Sequence, residues 1–154
     1  MSEMRFNPIT LDWAIMAPGR SGRPNDFLRV KKERAVRPAY REDCPFCAGN
    51  EPLAAEEISR ASAPDGSWLA RVVANKYSAF SATEDLRRES RGTFRSMAAA
   101  GAHEVVIEHP RHDQSLGDLE ISHLAAVLGL YRERFRALRE LPNVESIVIF
   151  KNSG

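Results

Sequence analysis

The sequence predicts an α+β fold in which one long amphipathic helix packs on a largely antiparallel sheet. Three observations support this prediction: an apolar strand at 68–74, a second strand centred on 105–107, and a helical pattern that follows them. Strands come first and the long helix comes late, which is typical of α+β folds and not of alternating βαβ units. The 154 residues fit one domain with a sizeable core.

The helix is the strongest secondary-structure signal in the chain. Its apolar residues recur at steps of three and four, which predicts one apolar face over about six turns. Arg132, Glu133 and Arg136 fall on the other side, as expected for a surface helix. The apolar stripe consists of Ile121, Leu124, Leu128, Tyr131, Phe135 and Leu138.

The remaining segments divide into strands and loops. Residues 11–16 are predicted as a short apolar strand, and residues 144–150 as a β-branched strand. Glycine and proline make 17–24 a loop. Residues 81–100 hold many charged residues, serines and alanines without a period, which predicts a mobile loop with one helical turn at most.

Composition excludes several classes of partner. The chain has 22 basic and 21 acidic residues, so its net charge of +1 gives no reason to expect nucleic-acid or anionic-membrane binding. No apolar run is long enough to cross a bilayer. Residues 1–5 carry no apolar core of a secretory signal, which predicts a cytoplasmic protein. A reducing compartment disfavours a structural disulfide.

The two cysteines of the chain, Cys44 and Cys47, are two residues apart. This spacing lets both sulfurs reach one zinc ion, but it also fits a redox pair or an incidental arrangement. A redox pair should follow a strand and open a helix, whereas a polar segment precedes Cys44 and a turn-like segment follows Cys47. The redox interpretation is therefore disfavoured.

A structural zinc site needs further ligands, which only histidine can supply here because no second cysteine pair exists. His109 and His112 lie in the loop after the predicted strand at 105–107, and they are the better candidates. His103 opens that strand. His123 lies in the helix away from its apolar stripe, where a solvated histidine is the simpler interpretation.

Four polar residues are candidates for binding an anionic ligand. Arg20 and Arg23 are spaced to face one phosphate, although the spacing alone favours two solvated loop arginines. Asn75 at a strand end and Asn152 can hydrogen-bond a nucleotide, but asparagine is also an ordinary turn residue. The chain contains no glycine-rich phosphate loop of the Walker or dinucleotide type and no convincing nucleophile.

Taken together, the chain resembles the N-terminal half of the galactose-1-phosphate uridylyltransferase family, a part of the histidine-triad superfamily. The resemblance covers nearly the whole chain in the right order. The segments that carry it are Arg5-Phe6-Asn7-Pro8-Ile9-Thr10-Leu11-Asp12-Trp13, Ala17-Pro18-Gly19-Arg20-Ser21-Gly22-Arg23-Pro24, Cys44-Pro45-Phe46-Cys47-Ala48-Gly49-Asn50-Glu51, Arg71-Val72-Val73-Ala74-Asn75-Lys76-Tyr77, His103-Glu104-Val105-Val106-Ile107-Glu108, His109-Pro110-Arg111-His112-Asp113 and Phe150-Lys151-Asn152-Ser153-Gly154.

The resemblance implies a histidine-triad-like fold and a structural zinc held by Cys44, Cys47 and His112. It also implies that the fourth ligand and the nucleophile come from a His-Pro-His motif shortly after residue 154. That motif does not occur in these residues. Residues 1–154 are therefore interpreted as an N-terminal domain that stops before the motif, with no catalytic residue of its own and no activity by itself.

The implied reaction is a two-step transfer of UMP from UDP-glucose to galactose 1-phosphate through a covalent nucleotidyl-histidine, in galactose metabolism. The partners implied are a UDP-hexose, a hexose 1-phosphate and a second copy in a homodimer. One alternative is an adenylyl-specific relative that resembles ADP-glucose or diadenosine-tetraphosphate phosphorylases. A non-catalytic zinc- or nucleotide-binding module is another, and a redox protein is the weakest. The positions that match nucleotide contacts are Arg20, Arg23, Asn75 and Asn152.

Overall fold

The computed structural model describes residues 2–22, 37–81, 86–142 and 144–151. Within these ranges the chain forms seven strands and one long helix, α1 (Ile121–Arg139). The strands are β1 (Glu3–Phe6), β2 (Trp13–Met16), β3 (Glu57–Ser62), β4 (Trp68–Ala74), β5 (Arg88–Arg91), β6 (Phe94–Ala98) and β7 (Glu104–Ile107).

The strands form two sheets, and every strand ladder in the described residues is antiparallel. One sheet has the order β2-β1-β6-β5 and the other has the order β3-β4-β7. Helix α1 packs on β3 and β4 of the three-stranded sheet. The predicted α+β class, with a long helix on an antiparallel sheet, is confirmed.

The core lies between α1 and β4. Ala70 and Val72 are small and fully buried on one face of β4, which lets the helix residues Val127 and Leu130 approach closely. The opposite face of β4 presents Val73, which packs with Ile107 of β7 and with Trp68. Strand β4 is therefore buried on both faces, which explains its nearly continuous apolar sequence.

The predicted apolar stripe describes α1 only in part. The helix bounds agree with the periodicity, but Ile121 is 85% exposed and Leu128 is 52% exposed, whereas Val127 and Leu130 are buried. The buried face is rotated relative to the predicted apolar stripe, because polar side chains of α1 also contact the sheet. The Tyr131 hydroxyl donates to Glu108, and Arg134 forms a half-buried ion pair with Glu104.

Two predictions for other segments are wrong. Residues 81–100 contain the hairpin β5–β6, closed by a two-residue turn in which Gly92 has φ +62°. Strand β5 is exposed along its length, so its side chains show no alternating apolar pattern. Residues 144–150 form no strand in the described part of the chain, and Val148 is 77% exposed because no ladder partner covers it.

The predicted short strand at residues 11–16 agrees better with the structure. Residues 13–16 form strand β2, and the preceding residues form a tight turn in which the Asn7 side-chain oxygen accepts from the amides of Ile9 and Thr10. The predicted loop at 17–24 contains a short 3-10 helix at Pro18–Gly22. In the described part of the chain, no helix has both the length and the apolar character that a bilayer crossing needs.

Candidate functional site

One candidate site is a cluster of sulfur and nitrogen ligands. Cys44, Cys47 and His112 place their ligand atoms within 4.8 Å of one another, and Cys47 Sγ lies 3.8 Å from His112 Nδ1. Cys47 is 1% exposed, and the other two residues are half-buried. Burial raises the pKa of the Cys47 thiol, so a bound cation is needed to hold it as a thiolate near neutral pH.

The donor set fits a tetrahedral metal. Zinc binds sulfur at about 2.3 Å and imidazole nitrogen at about 2.0 Å, which holds tetrahedral donors roughly 3.5–3.8 Å apart. The 3.8 Å separation of Cys47 Sγ from His112 Nδ1 matches this spacing. Two soft thiolate donors with one imidazole also favour zinc over magnesium or calcium. The three residues are therefore arranged as candidate ligands of one metal ion, with all their ligand atoms within 4.8 Å of one another.

Asn50 organises the turn that carries both cysteines, and the sequence patterns did not single it out. Its side-chain nitrogen donates to the carbonyl oxygens of Arg41, Glu42 and Cys44 at 2.8, 3.2 and 2.8 Å. Its side-chain oxygen accepts from the Tyr40 hydroxyl at 2.8 Å. Asn50 is 8% exposed, so these contacts replace water almost completely. In the sequence, Asn50 follows Gly49 within the segment 44–51 that carries the family resemblance, and no local pattern assigns it a role.

Arg71 of strand β4 also supports the turn that carries Cys44 and Cys47. This side chain is 1% exposed, pairs with Glu57 at 3.2 Å, and lies over the Trp68 ring at 4.7 Å. Its Nη2 also donates to the Pro45 carbonyl, between the two cysteines, at 3.4 Å. The pKa of Glu57 is lowered, first by its hydrogen bond with Arg60 and then by Arg71. A buried arginine therefore ties the cysteine turn to the central strand.

The loop after β7 brings the third ligand to the cysteines. The Ala48 amide donates to the Pro110 carbonyl at 3.0 Å, and the His112 amide donates to the Ala39 carbonyl at 2.8 Å. These two backbone contacts hold the loop at 108–112 against the turn at 44–50 and against the segment that precedes it. They involve residues more than 60 positions apart, so the sequence spacing could not reveal them.

His109 lies outside this cluster, against the expectation that it is an equal candidate ligand. Its ring stacks on His123 with centroids 4.7 Å apart and planes inclined by 24°. His123 is not solvated either, because its Nε2 lies 2.8 Å from the Glu108 carbonyl oxygen. The stacking places the His109 ring against a residue of helix α1, and His109 does not belong to the ligand cluster.

The His109–His123 pair predicts a specific pH dependence of stability. Burial, followed by the charge of His123, lowers the pKa of His109 below its ordinary 6.5. The unfolded chain therefore binds a proton before the folded chain does, and stability falls as pH decreases below about 6.5. We expect His109→Gln to reduce this slope in urea unfolding measured from about pH 7.5 to about pH 5.5.

Both proteins should be measured in chelator, because protonation of metal ligands would add its own pH dependence. Identical slopes for the wild-type chain and His109→Gln would contradict this assignment.

A second cluster lies at the other end of the β4–β7 ladder. Arg20 Nη1 donates to the Tyr77 carbonyl at 3.0 Å and lies 3.5 Å from His103 Nδ1. Asn75 follows β4 directly, and its side-chain amide nitrogen lies 3.0 Å from His103 Nε2. The structure thus brings two of the four predicted nucleotide contacts, Arg20 and Asn75, to one histidine that sequence reasoning had not assigned to the site.

Strands β4 and β7 connect the two clusters. Ala74 pairs with Glu104 beside the Arg20 cluster, and Arg71 pairs with Ile107 beside the cysteine turn. Three residue steps along a strand span about 10 Å. The cluster of Cys44, Cys47 and His112 can therefore stabilise strand β4, which Asn75 follows directly, although the two clusters lie apart. Arg23 and Asn152, the other two predicted contacts, lie outside the described residues.

Comparison with known proteins relates the chain to one protein family. The sequence model described as "Galactose-1-phosphate uridyl transferase, N-terminal domain" matches residues 1–154. The chain belongs to the galactose-1-phosphate uridylyltransferase family. The predicted resemblance to this family is therefore confirmed.

Members of the galactose-1-phosphate uridylyltransferase family differ in how similar they are to this chain. ADP-glucose phosphorylase from Arabidopsis thaliana is 35% identical over 155 residues, which cover 99% of this chain and 43% of that protein. Galactose-1-phosphate uridylyltransferase from Haemophilus influenzae is 26% identical over 151 residues, covering 97% of this chain and 41% of that protein. The chain thus spans about two fifths of the length of these relatives.

A solved structure supports the same relationship. The crystal structure of the Arabidopsis thaliana ADP-glucose phosphorylase with bound ADP-glucose superposes with a TM-score of 0.55 at 30% identity. The match covers 92% of this chain and 39% of that structure. The antiparallel sheets and long helix described above are therefore shared with a family member.

Proposed function

We propose that this chain is the nucleotide-binding and metal-binding part of a nucleotidyltransferase that acts on a nucleoside-diphosphate hexose and a hexose 1-phosphate. The observation that carries the proposal is the convergence of Arg20 and Asn75 at the end of the β4–β7 ladder. These residues lie 55 positions apart in sequence, and both belong to segments in which the family resemblance implies nucleotide contacts.

Each residue has a defined role in the proposal. The Arg20 guanidinium neutralises charge on the phosphate oxygens, which is the main requirement of phosphoryl and nucleotidyl transfer. The Asn75 side chain orients the nucleotide. Arg23 and Asn152 are proposed to contact the same nucleotide. The nucleophilic histidine is proposed to come from a His-Pro-His motif outside these 154 residues, because the motif is not among them.

Zinc is the metal proposed for the cysteine cluster. Cys44, Cys47 and His112 would hold it, and the donor chemistry described above supports this choice. When bound, zinc would supply structural rigidity by cross-linking the turn at 44–50 to the loop after β7. A cytoplasmic setting, which we also propose, would keep both cysteines reduced and available to the metal.

UDP-glucose and ADP-glucose are the two candidate nucleotide donors. The sequence resemblance predicted UDP-glucose, with galactose 1-phosphate as acceptor in galactose metabolism and a homodimer as the assembly, and these stay predictions. The 35% identity to an ADP-glucose phosphorylase, against 26% to a uridylyltransferase, favours ADP-glucose as a second candidate. No described side chain in the Arg20 cluster distinguishes adenine from uracil, so a binding measurement must separate them.

Replacement of Arg20 by alanine is expected to weaken the binding of ADP and UDP about tenfold or more, because a charge-assisted contact to phosphate is lost. Isothermal titration calorimetry of the 154-residue chain measures the effect. Arg5→Ala is the matched control, because Arg5 is an exposed arginine of β1 whose partner is Glu3. The nucleotide that binds more tightly identifies the donor class.

Three results would count against the proposal. Failure of the wild-type chain to bind either nucleotide would remove the nucleotide-binding role. Equal weakening by Arg5→Ala and Arg20→Ala would remove the assigned site. Turnover of UDP-glucose or ADP-glucose by the 154-residue polypeptide alone would show that the nucleophile does not lie outside it.

A further inference from the structure

Glu108 lies directly after β7, and three residues from the later part of the chain converge on it. The Tyr131 hydroxyl donates to one oxygen of its carboxylate at 2.7 Å, and Lys151 forms an ion pair with the other oxygen. His123 Nε2 donates to its main-chain carbonyl oxygen at 2.8 Å. The Glu108 side chain is only 14% exposed, so these partners largely replace water.

The donors and acceptors around Glu108 are balanced. A hydroxyl and an ammonium group both donate, and an ionised carboxylate accepts through either oxygen. Burial, followed by the hydrogen bond with Glu108, raises the pKa of the Tyr131 hydroxyl, so Tyr131 stays a donor at neutral pH. Helix α1 therefore holds the Glu108 carboxylate in place independently of Lys151.

Residues 144–151, which follow α1, have little other support. They form no strand in the described part of the chain, and Val148, Ile149 and Phe150 are exposed. Among the described residues, the contact with Glu108 is the one side-chain hydrogen bond and the one ion pair that this segment makes. The place of Lys151 beside the end of β7 therefore depends on Glu108.

Lys151 is bonded directly to Asn152, which the family resemblance matches to a nucleotide contact. Consecutive Cα atoms are about 3.8 Å apart across a trans peptide bond, so a fixed Lys151 limits where the main chain of its neighbour can lie. Ordering a residue when a ligand binds costs conformational entropy, and an anchor that is already in place reduces this cost.

We propose that Glu108 is a positioning residue of the nucleotide site, which acts through its ion pair with Lys151 to hold the main chain that leads into Asn152. The ligand served is the nucleotide that Arg20 and Asn75 are proposed to bind. This inference rests on the proposed function, because it assigns a further residue to the same site.

A direct contact of Lys151 with a phosphate group of the ligand is the competing role, and Glu108→Gln separates the two. Glutamine keeps the shape of glutamate and an oxygen that accepts from Tyr131, so this variant loses the charge and keeps the packing. In the positioning role, loss of the ion pair releases Lys151 and weakens nucleotide binding. In the direct role, Glu108→Gln removes a competing partner, so binding stays unchanged or becomes tighter.

The test is calorimetric titration of ADP and UDP onto the 154-residue chain and its variants. We expect Glu108→Gln and Lys151→Gln each to weaken binding about fivefold, because the segment must then be ordered when the ligand binds. The double variant should bind no more weakly than either single variant, because both changes break the same ion pair. Lys151→Arg keeps a cation for Glu108 and should retain most of the affinity.

Nuclear magnetic relaxation gives a second readout, which does not depend on the ligand. The backbone order parameter of the residue 151 amide should fall in Glu108→Gln and in Lys151→Gln, and it should stay near the wild-type value in Lys151→Arg. The Lys151 side chain is 46% exposed, so its replacement has little packing cost. An unchanged order parameter in both glutamine variants would show that the ion pair does not hold this segment.

Arg132→Gln is the control, because Arg132 is an exposed cation of α1 and its replacement changes the net charge as Lys151→Gln does. It should leave nucleotide affinity unchanged. Wild-type or tighter binding by Glu108→Gln, or losses that add fully in the double variant, overturns the positioning role while the proposed function stands. Absence of nucleotide binding in the wild-type chain overturns both.

Discussion

Replacement of Cys44 by serine is expected to abolish tight zinc binding and to lower the melting temperature of the chain by about 10 °C. The site joins the turn at 44–50 to the loop that carries His112, and a metal that binds only the folded chain stabilises it by mass action. At a free zinc concentration about 1,000 times the dissociation constant, this linkage is worth about 4 kcal/mol. For a chain of this length, 4 kcal/mol corresponds to a shift of about 10 °C.

The chelated protein supplies the internal control for this prediction. Cys44 is half-buried, so a serine hydroxyl can be accommodated at little packing cost. In excess chelator, Cys44→Ser and the wild-type chain should therefore melt at nearly the same temperature, well below the zinc-loaded wild type. A Cys44→Ser variant that retains one equivalent of zinc and the wild-type melting temperature would refute a metal site at these residues.

Replacement of Asn50 by aspartate is expected to destabilise the chain by about 3 kcal/mol, although the two side chains have the same shape. The side-chain nitrogen of Asn50 donates to three carbonyl oxygens in a site that is 8% exposed. A carboxylate there would face the same oxygens without a donor, so it must stay protonated or leave them unpaired. Because one of the three is the Cys44 carbonyl, zinc affinity should fall as well.

Asn7→Asp is the matched control. Among the described residues, Asn7 hydrogen-bonds through its side-chain oxygen, which accepts from the amides of Ile9 and Thr10 in an exposed turn. Aspartate preserves these acceptors, so chemical denaturation should show little change. If Asn50→Asp is as stable as Asn7→Asp and binds zinc normally, Asn50 does not organise the cysteine turn.

The elements that could be predicted from sequence are those whose pattern is local. The helix at 121–139 follows a repeat of apolar residues, and β4 is a continuous apolar run because both of its faces are buried. The hairpin β5–β6 was missed because exposed strands carry no alternating pattern. The buried face of α1 was misplaced because Arg134 is compensated by Glu104, thirty residues earlier, which no local pattern reveals.

The same distinction applies to the candidate sites. The spacing of Cys44 and Cys47 indicates that they are candidate metal ligands. The family resemblance implies His112 as a third ligand, and the structure places it beside them. Asn50 and His103 lie in segments that carry the family resemblance, but no local pattern assigns either of them a role, because the role of each comes from its contacts in the folded chain. Asn50 reaches carbonyl groups of an irregular segment, and His103 meets Arg20 from 83 residues away.

The most direct test of the nucleotide-site assignment is an NMR titration of the isotopically labelled, zinc-loaded chain with ADP-glucose and UDP-glucose. Backbone amides of residues 18–20, 75–79 and 103 should shift with increasing ligand, and those in strands β5 and β6 should not. The sugar nucleotide that gives the saturable response at the lower concentration identifies the donor. Saturable shifts confined to residues remote from Arg20, Asn75 and His103, or no shifts with either ligand, would contradict the assignment.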